Sequence, residues 1–165
     1  MTPRPGLAGF SSPTVRRVQD ALATLGLGHE IVDLGLSART AADAAGAVGC
    51  RVDQIAKSLV FRLRESGRPL LVVTSGAHRV NEVRVAALVG EALERADADF
   101  VRAETGFAIG GVAPVGHTRP VMTLIDEHLL TFEEIWAAAG HPHTVFRLRP
   151  ADLVAMTGGR VVAVA

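Results

Sequence analysis

The sequence predicts an α+β fold: a mixed, largely antiparallel, twisted and barrel-like sheet flanked by helices. Three observations predict it. Stretches with helical apolar spacing are interleaved with short strand-like runs, yet never in the regular strand–helix–strand order of a parallel array. Two such runs, 57–64 and 70–75, flank Glu65-Ser66-Gly67-Arg68, a glycine-containing four-residue turn that makes them an antiparallel pair. The composition, 48% hydrophobic and 21% charged over 165 residues, is that of a chain able to bury a substantial core. There is no internal repeat and no long linker, so residues 1–165 are expected to form a single domain, with 1–12 as an irregular lead-in.

Taken in order, Ser12-Pro13 reads as a helix start, a hydroxyl cap followed by a proline whose missing N–H costs nothing at the first turn. Val15, Val18, Leu22 and Leu25 then recur at helical spacing until Gly26 and Gly28 end the run. Glu30 to Leu34 alternates like a short strand. Thr40 caps an alanine-rich helix to Val48, with Asp43 complementing its N-terminus and Gly49 stopping it. After the hairpin, Asn81 and Glu82 open a helix carrying Val85, Leu88 and Val89, closed by Gly90. Asp97 or Asp99 caps a further helix that Gly106 ends. Phe107 to His117 is a loop punctuated by glycine and proline, followed by a buried strand, Val121 to Asp126. Strands at 135–139 and 144–149 flank Gly140-His141-Pro142, Pro150 starts the last helix, and Val161 to Val164 is the last strand.

The charge and cysteine content exclude several classes. Formal net charge is zero, so any nucleic-acid contact must come from a local arginine cluster and a specific pocket. The one cysteine, Cys50, excludes an intramolecular disulfide and a cysteine-rich metal site, which fits a reducing cytoplasm. No signal-like apolar run opens the chain and no 18 consecutive residues are apolar, so a soluble, cytoplasmic protein without membrane contact is expected.

Two features can carry chemistry. Lys57 is the only lysine among 17 basic residues. On a regular strand it shares a face with Leu59, Phe61 and Leu63, whereas Ser58, Val60, Arg62 and Arg64 face the other way. An ammonium on an apolar face either snorkels to the strand end or reaches a cavity where it has a task. The second feature is the loop, in which Gly110-Gly111, Pro114 and Gly116 give a rigid backbone that N–H donors can present to an oxyanion, carboxylate or phosphate. Its spacing matches no nucleotide-phosphate motif, and a tight bend between strands is the alternative. Asp126 either caps the next turn or acts in a site, and His117 is either a substrate contact or an ordinary solvent-facing histidine. His141-Pro142-His143 reads as a turn, since no further ligands stand near it in sequence. Cys50 lacks a histidine or aspartate partner in sequence and reads as packing. No serine lies in a Gly-x-Ser-x-Gly elbow. Arg62, Arg64 and Arg68, with Arg147 and Arg149, would make a phosphate-binding patch if their strands were neighbours.

Taken together, Gln54-Ile55-Ala56-Lys57-Ser58-Leu59-Val60-Phe61 and the later Thr105-Gly106-Phe107-Ala108-Ile109-Gly110-Gly111-Val112-Ala113-Pro114-Val115-Gly116-His117 resemble the YbaK/prolyl-tRNA-synthetase-associated editing-domain family. The resemblance continues through Leu124-Ile125-Asp126 and Leu148-Arg149-Pro150-Ala151-Asp152-Leu153, covering roughly residues 15 to 165. It implies a free-standing deacylase that hydrolyses the ester between a wrong amino acid and the 3′-terminal adenosine of a tRNA, usually tRNA(Pro). The substrate would carry a small residue such as cysteine or alanine, and prolyl-tRNA synthetase is a candidate partner. Lys57 matches the family's functional lysine, and Gly110 to Pro114 its Gly-x-x-x-Pro loop. Lys57, Gly110 and Gly111 are thereby implied in catalysis, and Ser58, Pro114, Gly116, His117 and Asp126 in substrate binding. No metal and no organic cofactor is implied. The competing expectation is a non-catalytic module that grips a tRNA 3′ end or a synthetase.

Overall fold

The structure, a computed structural model, describes residues 12–26, 28–35 and 40–165. The lead-in lies outside these residues apart from Ser12. Helix α1 (Pro13–Leu25) begins at Ser12 with proline in its first turn and ends at Gly26 in the left-handed conformation. Val15, Val18 and Leu22 are its buried stripe. Strand β1 (Ile31–Asp33) follows. Helix α2 (Ala41–Val48) carries the complete reciprocal cap expected of Thr40 and Asp43. Strands β2 (Ile55–Leu63) and β3 (Pro69–Ser75) form the hairpin, whose turn is held by the Glu91 carboxylate accepting from the N–H groups of Glu65 and Ser66 at 2.9 and 2.7 Å.

Helix α3 (Glu82–Val89) is capped by Asn81, and helix α4 (Ala98–Thr105) by Asp97, which settles the choice between the two aspartates. Between them lies β4 (Leu93–Arg95), a three-residue strand the sequence did not announce. Strands β5 (Met122–Asp126), β6 (Ile135–Ala138) and β7 (Thr144–Leu148), helix α5 (Pro150–Thr157) and strand β8 (Arg160–Val162) complete the chain.

Among the described residues the strands make one sheet in the order β1-β7-β6-β2-β3-β5-β8, with β4 joined to β2 off this path. The hairpin, β1–β7, β6–β7 and β2–β4 are antiparallel; β2–β6, β3–β5 and β5–β8 are parallel. The α+β class holds, and the sheet is mixed and open, running from an edge at β1 to an edge at β8 without closing into a barrel.

Alternation divides the hairpin between two cores. Ala56, Leu71 and Val73 face the larger one, with α1, α4, α5 and the loop residues Phe107, Val112 and Ala113. Leu63, Leu70 and Val72 face the smaller one, with Phe61 at its margin and α3 covering it. Lys57 belongs by parity to the smaller face and Ser58 to the larger.

Candidate active site

The site lies where the sheet is incomplete. Strand β2 is fully paired to β3 on one side, from Ala56 to Arg62. On its other side β6 reaches only Ile55 and Ala56, and β4 begins only at Phe61. Residues 57–60 therefore have no strand partner along that edge among the described residues. The gap opens into a cleft of about 460 Å³ whose lining includes Lys57, Ser58, Ile109, Gly110, Trp136 and Pro142.

Lys57 is half-buried, and burial pushes its ammonium below the usual lysine range, with the positive charge of Arg79 adding to the effect. Its Nζ donates to the carbonyl oxygen of His78 at 3.2 Å. The Ser58 hydroxyl is buried and has no hydrogen-bond partner among the described residues. A buried hydroxyl left unpaired costs on the order of 1–3 kcal/mol.

The loop meets the cleft through Gly110. Its φ of +88° suits glycine, and no hydrogen bond among the described residues uses its N–H. Gly111 differs. Its N–H donates to the carbonyl of Ala108 at 2.9 Å, and a β-carbon there would stand 3.0 Å from Cα of His141. Gly111 thus lets the loop pack on His141-Pro142, and that turn, set aside on sequence grounds as mere connection, supplies Pro142 to the cleft wall.

Arg17 of α1 clamps both ends of the loop. Its Nε donates to the carbonyl of Gly116 and its Nη2 to that of Gly106, each at 2.7 Å, with the guanidinium 4.6 Å above the Phe107 ring. Pro114, Gly116 and His117 do not line the cleft with Lys57. They line a separate depression of about 550 Å³ beside α1 and α5. His117 is turned inward: its Nε2 donates to the carbonyl of Ala113 at 2.7 Å and its ring meets Phe107 edge-on. Burial lowers its pKa, so the ring is neutral near pH 7.

Asp126 ends the buried strand β5, is 1% exposed, and accepts four hydrogen bonds. Thr74 Oγ1, the Ser75 N–H and His78 Nδ1 donate to Oδ2 at 3.2, 3.0 and 2.8 Å, and the His128 N–H donates to Oδ1 at 3.0 Å. Burial raises its carboxyl, but these donors together outweigh it and hold the pKa below the usual aspartate range. Asp126 thus sits beside the anchor of Lys57 rather than in the cleft lining. His78 and His128 carry no sequence signal near Lys57 and escape a reading along the chain.

The proposed arginine patch does not form. Arg147 pairs with Trp136, which pairs with Ile55, so it lies level with the start of β2, whereas Arg62 and Arg64 lie at its far end. Strand β6 separates the two groups. Arg64 binds Glu94 at 3.2 Å, Arg147 binds Glu134 at 3.7 Å and Arg62 stacks over Phe100. Cys50 is half-buried, with its thiol donating to the carbonyl of Arg51, and burial raises its pKa, in keeping with packing. No helix among the described residues is long and apolar enough to cross a membrane.

Comparison with known proteins now bears on this geometry. The chain is 27% identical over 125 residues to the uncharacterized protein YwhH of Bacillus subtilis (strain 168), covering 76% of this chain and 79% of that one. It is 34% identical over 96 residues to the proline–tRNA ligase of Limosilactobacillus fermentum, a match that covers 56% of this chain but only 17% of that enzyme. Among solved structures, one described as a candidate trans-editing enzyme for prolyl tRNA synthetase superposes with a TM-score of 0.87 at 48% identity, covering 92% of this chain and 96% of the other. The hypothetical protein APE2540 superposes with a TM-score of 0.82 at 28% identity, covering 90% and 98%. Residues 37–156 match the family model described as the aminoacyl-tRNA editing domain, and the chain belongs to that family.

Proposed function

We propose that the protein is a trans-acting aminoacyl-tRNA deacylase whose substrate is tRNA(Pro) mischarged with a small amino acid, cysteine or alanine. The observation that carries this reading is the convergence, in one cleft at the unpaired edge of β2, of the sole lysine, an unpaired buried hydroxyl and an uncommitted backbone N–H. The likeness to a proline–tRNA ligase and to a candidate trans-editing enzyme supports the choice of tRNA.

In this reading Lys57 anchors the aminoacyl-adenosine end, and its charge stabilises the oxygen that becomes negative in the transition state. The N–H of Gly110 donates to the scissile carbonyl. Ser58 bonds a polar group of the amino-acid moiety. Gly111, Pro114, Gly116 and His117 hold the loop in shape from behind. The water oxygen adds to the carbonyl carbon, helped by the free ribose hydroxyl of the substrate. The ester C–O bond then breaks, and a proton from water ends on the ribose oxygen, releasing amino acid and intact tRNA. The apolar walls, which include Val60, Val112, Ala137 and Val145, limit the size of the side chain admitted. Such walls separate neighbours differing by one methylene by only about 1–3 kcal/mol.

The test is release of amino acid from a panel of tRNA(Pro) charged with cysteine, alanine, serine or proline, with and without prolyl-tRNA synthetase. The wild type is expected to discharge a small wrong amino acid, and Lys57→Ala to lose about 100-fold or more in rate while keeping its melting temperature. Hydrolysis of no member would leave a binding module. Full activity in Lys57→Ala would remove the lysine from the mechanism.

A further inference from the structure

The geometry points to His78 as a positioning residue for Lys57, acting through its own backbone carbonyl. The inference rests on the deacylase reading for its consequence in turnover, but not for its structural content. Among the described residues the His78 carbonyl is the only hydrogen-bond acceptor of the Lys57 ammonium, at 3.2 Å. That carbonyl belongs to the short segment after β3, outside any helix or strand, so something other than a ladder must fix it.

The His78 N–H closes a turn onto the Ser75 carbonyl at 2.9 Å, and the His78 side chain ties the residue into a polar network beyond that turn. Nδ1 donates to the buried Asp126 carboxylate at 2.8 Å, and the ring packs on that of His128 with centroids 4.6 Å apart. His128 is held in turn: its N–H donates to the other oxygen of Asp126 at 3.0 Å, and its Nε2 donates to Asp53 at 3.2 Å. Asp53 lies in the turn just before β2, and its carbonyl accepts the Ser75 hydroxyl at 2.7 Å. The polar chain therefore closes on itself, from the turn that opens β2, through two imidazoles, to the ends of β5 and β3. The Lys57 ammonium is attached to this closed ring at one point, and that point is His78.

The arrangement also explains why an ammonium sits on an otherwise apolar face. Its strand neighbour across the hairpin is Thr74, itself bonded to Asp126, so the apolar face ends there in a polar cluster. Among the described residues nothing outside this ring accepts from Nζ, so without it the four-carbon stem would be free to swing into solvent.

Because Lys57 is the only lysine, labelling the full chain with lysine enriched in ¹⁵N at Nζ gives a single ammonium signal. In the wild type that signal is expected to show slow exchange of its hydrogens with water, and in His78→Ala exchange is expected to quicken at least fivefold while turnover falls at least tenfold. Asparagine places an amide donor where Nδ1 stands; glutamine places it near Nε2. His78→Asn should therefore restore both slow exchange and turnover, whereas His78→Gln should restore neither, even with melting temperatures alike. Unchanged exchange in His78→Ala, or rescue by glutamine equal to that by asparagine, would overturn the inference; should His78→Ala fail to fold, the asparagine–glutamine pair decides alone. Exchange is read without substrate. A negative result there leaves the deacylase reading standing, and a protein that deacylates nothing still reports whether His78 holds Lys57.

Discussion

The two halves of β2 are built to opposite specifications. At Phe61 and Arg62 the strand is paired on both sides, by β3 and β4, and the arginines there and just beyond it are engaged: Arg62 stacks over Phe100 and Arg64 binds Glu94. From Lys57 to Val60 one edge is bare, a hydroxyl is buried without a partner, and an ammonium is held below its ordinary pKa. A strand interior ordinarily satisfies its polar groups, and most of this one does. The difference teaches that, along β2, the unpaired buried hydroxyl falls in the stretch that also opens into a cleft. In the deacylase reading proposed above, that hydroxyl is where a polar group of the substrate binds.

Substitutions can break that contrast or sharpen it. After Lys57, the largest effect is expected at Gly110, where alanine must adopt a φ near +88°, a conformation costing about 1–2 kcal/mol for an L residue, and places a methyl beside the donor N–H. Gly110→Ala is expected to lower turnover at least tenfold, measured by single-turnover deacylation. A normal rate would reduce the loop to a bend.

Next is Asp126→Asn. The amide would turn donor toward donor among Thr74, Ser75 and His78, and a loss of about 2–3 kcal/mol is expected in denaturant titration at pH 7. Its pH dependence has a definite sign. The folded-state pKa of Asp126 lies below the value of about 3.9 for an unfolded chain, so its contribution is complete above that value and is lost as pH falls through the folded-state pKa. The gap between wild type and Asp126→Asn should therefore be widest near neutrality and narrow below about pH 4. A constant gap would mean that charge is not the source.

Ser58→Ala has a smaller effect and a more diagnostic one. Removing an unpaired buried hydroxyl should leave the melting temperature equal or slightly raised, while KM for the mischarged tRNA rises. Stability and KM both unchanged would mean that no ligand group uses the hydroxyl. The smallest effect is expected at the paired end. Arg64→Ala breaks an exposed ion pair with Glu94, a loss of less than about 1 kcal/mol, and should leave deacylation untouched. A large fall in activity there would erase the distinction between the two halves.

Much of the molecule could be read along the chain because it is locally determined. The caps at Thr40 and Asn81, the glycine stops at Gly26, Gly49, Gly90 and Gly106, and the hairpin turn each depend on neighbours within a few residues. Lys57 and Gly110 stood out for the same reason, as odd chemistry in a legible local setting. What escaped depends on distant partners. Strand β4 is three residues long and exists only because β2 offers it an edge. His78 and His128 lie 21 and 71 residues beyond Lys57, and only the packing of β3 against β5 brings them to it. The arginine patch failed for the same kind of reason. Charge pattern can be read in sequence, but the insertion of β6 between β2 and β7 cannot.

The clamp made by Arg17 has a consequence for what the cleft depends on. Helix α1 supplies none of the residues that line the cleft. Arg17 grips the carbonyls of Gly106 and Gly116, and Thr14 donates to that of Gly140 at 2.7 Å, beside the turn on which Gly111 rests. The shape of the loop thus depends on a helix that lines no part of the cleft. Two members of such a family can agree at every reactive position and still differ in how firmly the loop is held.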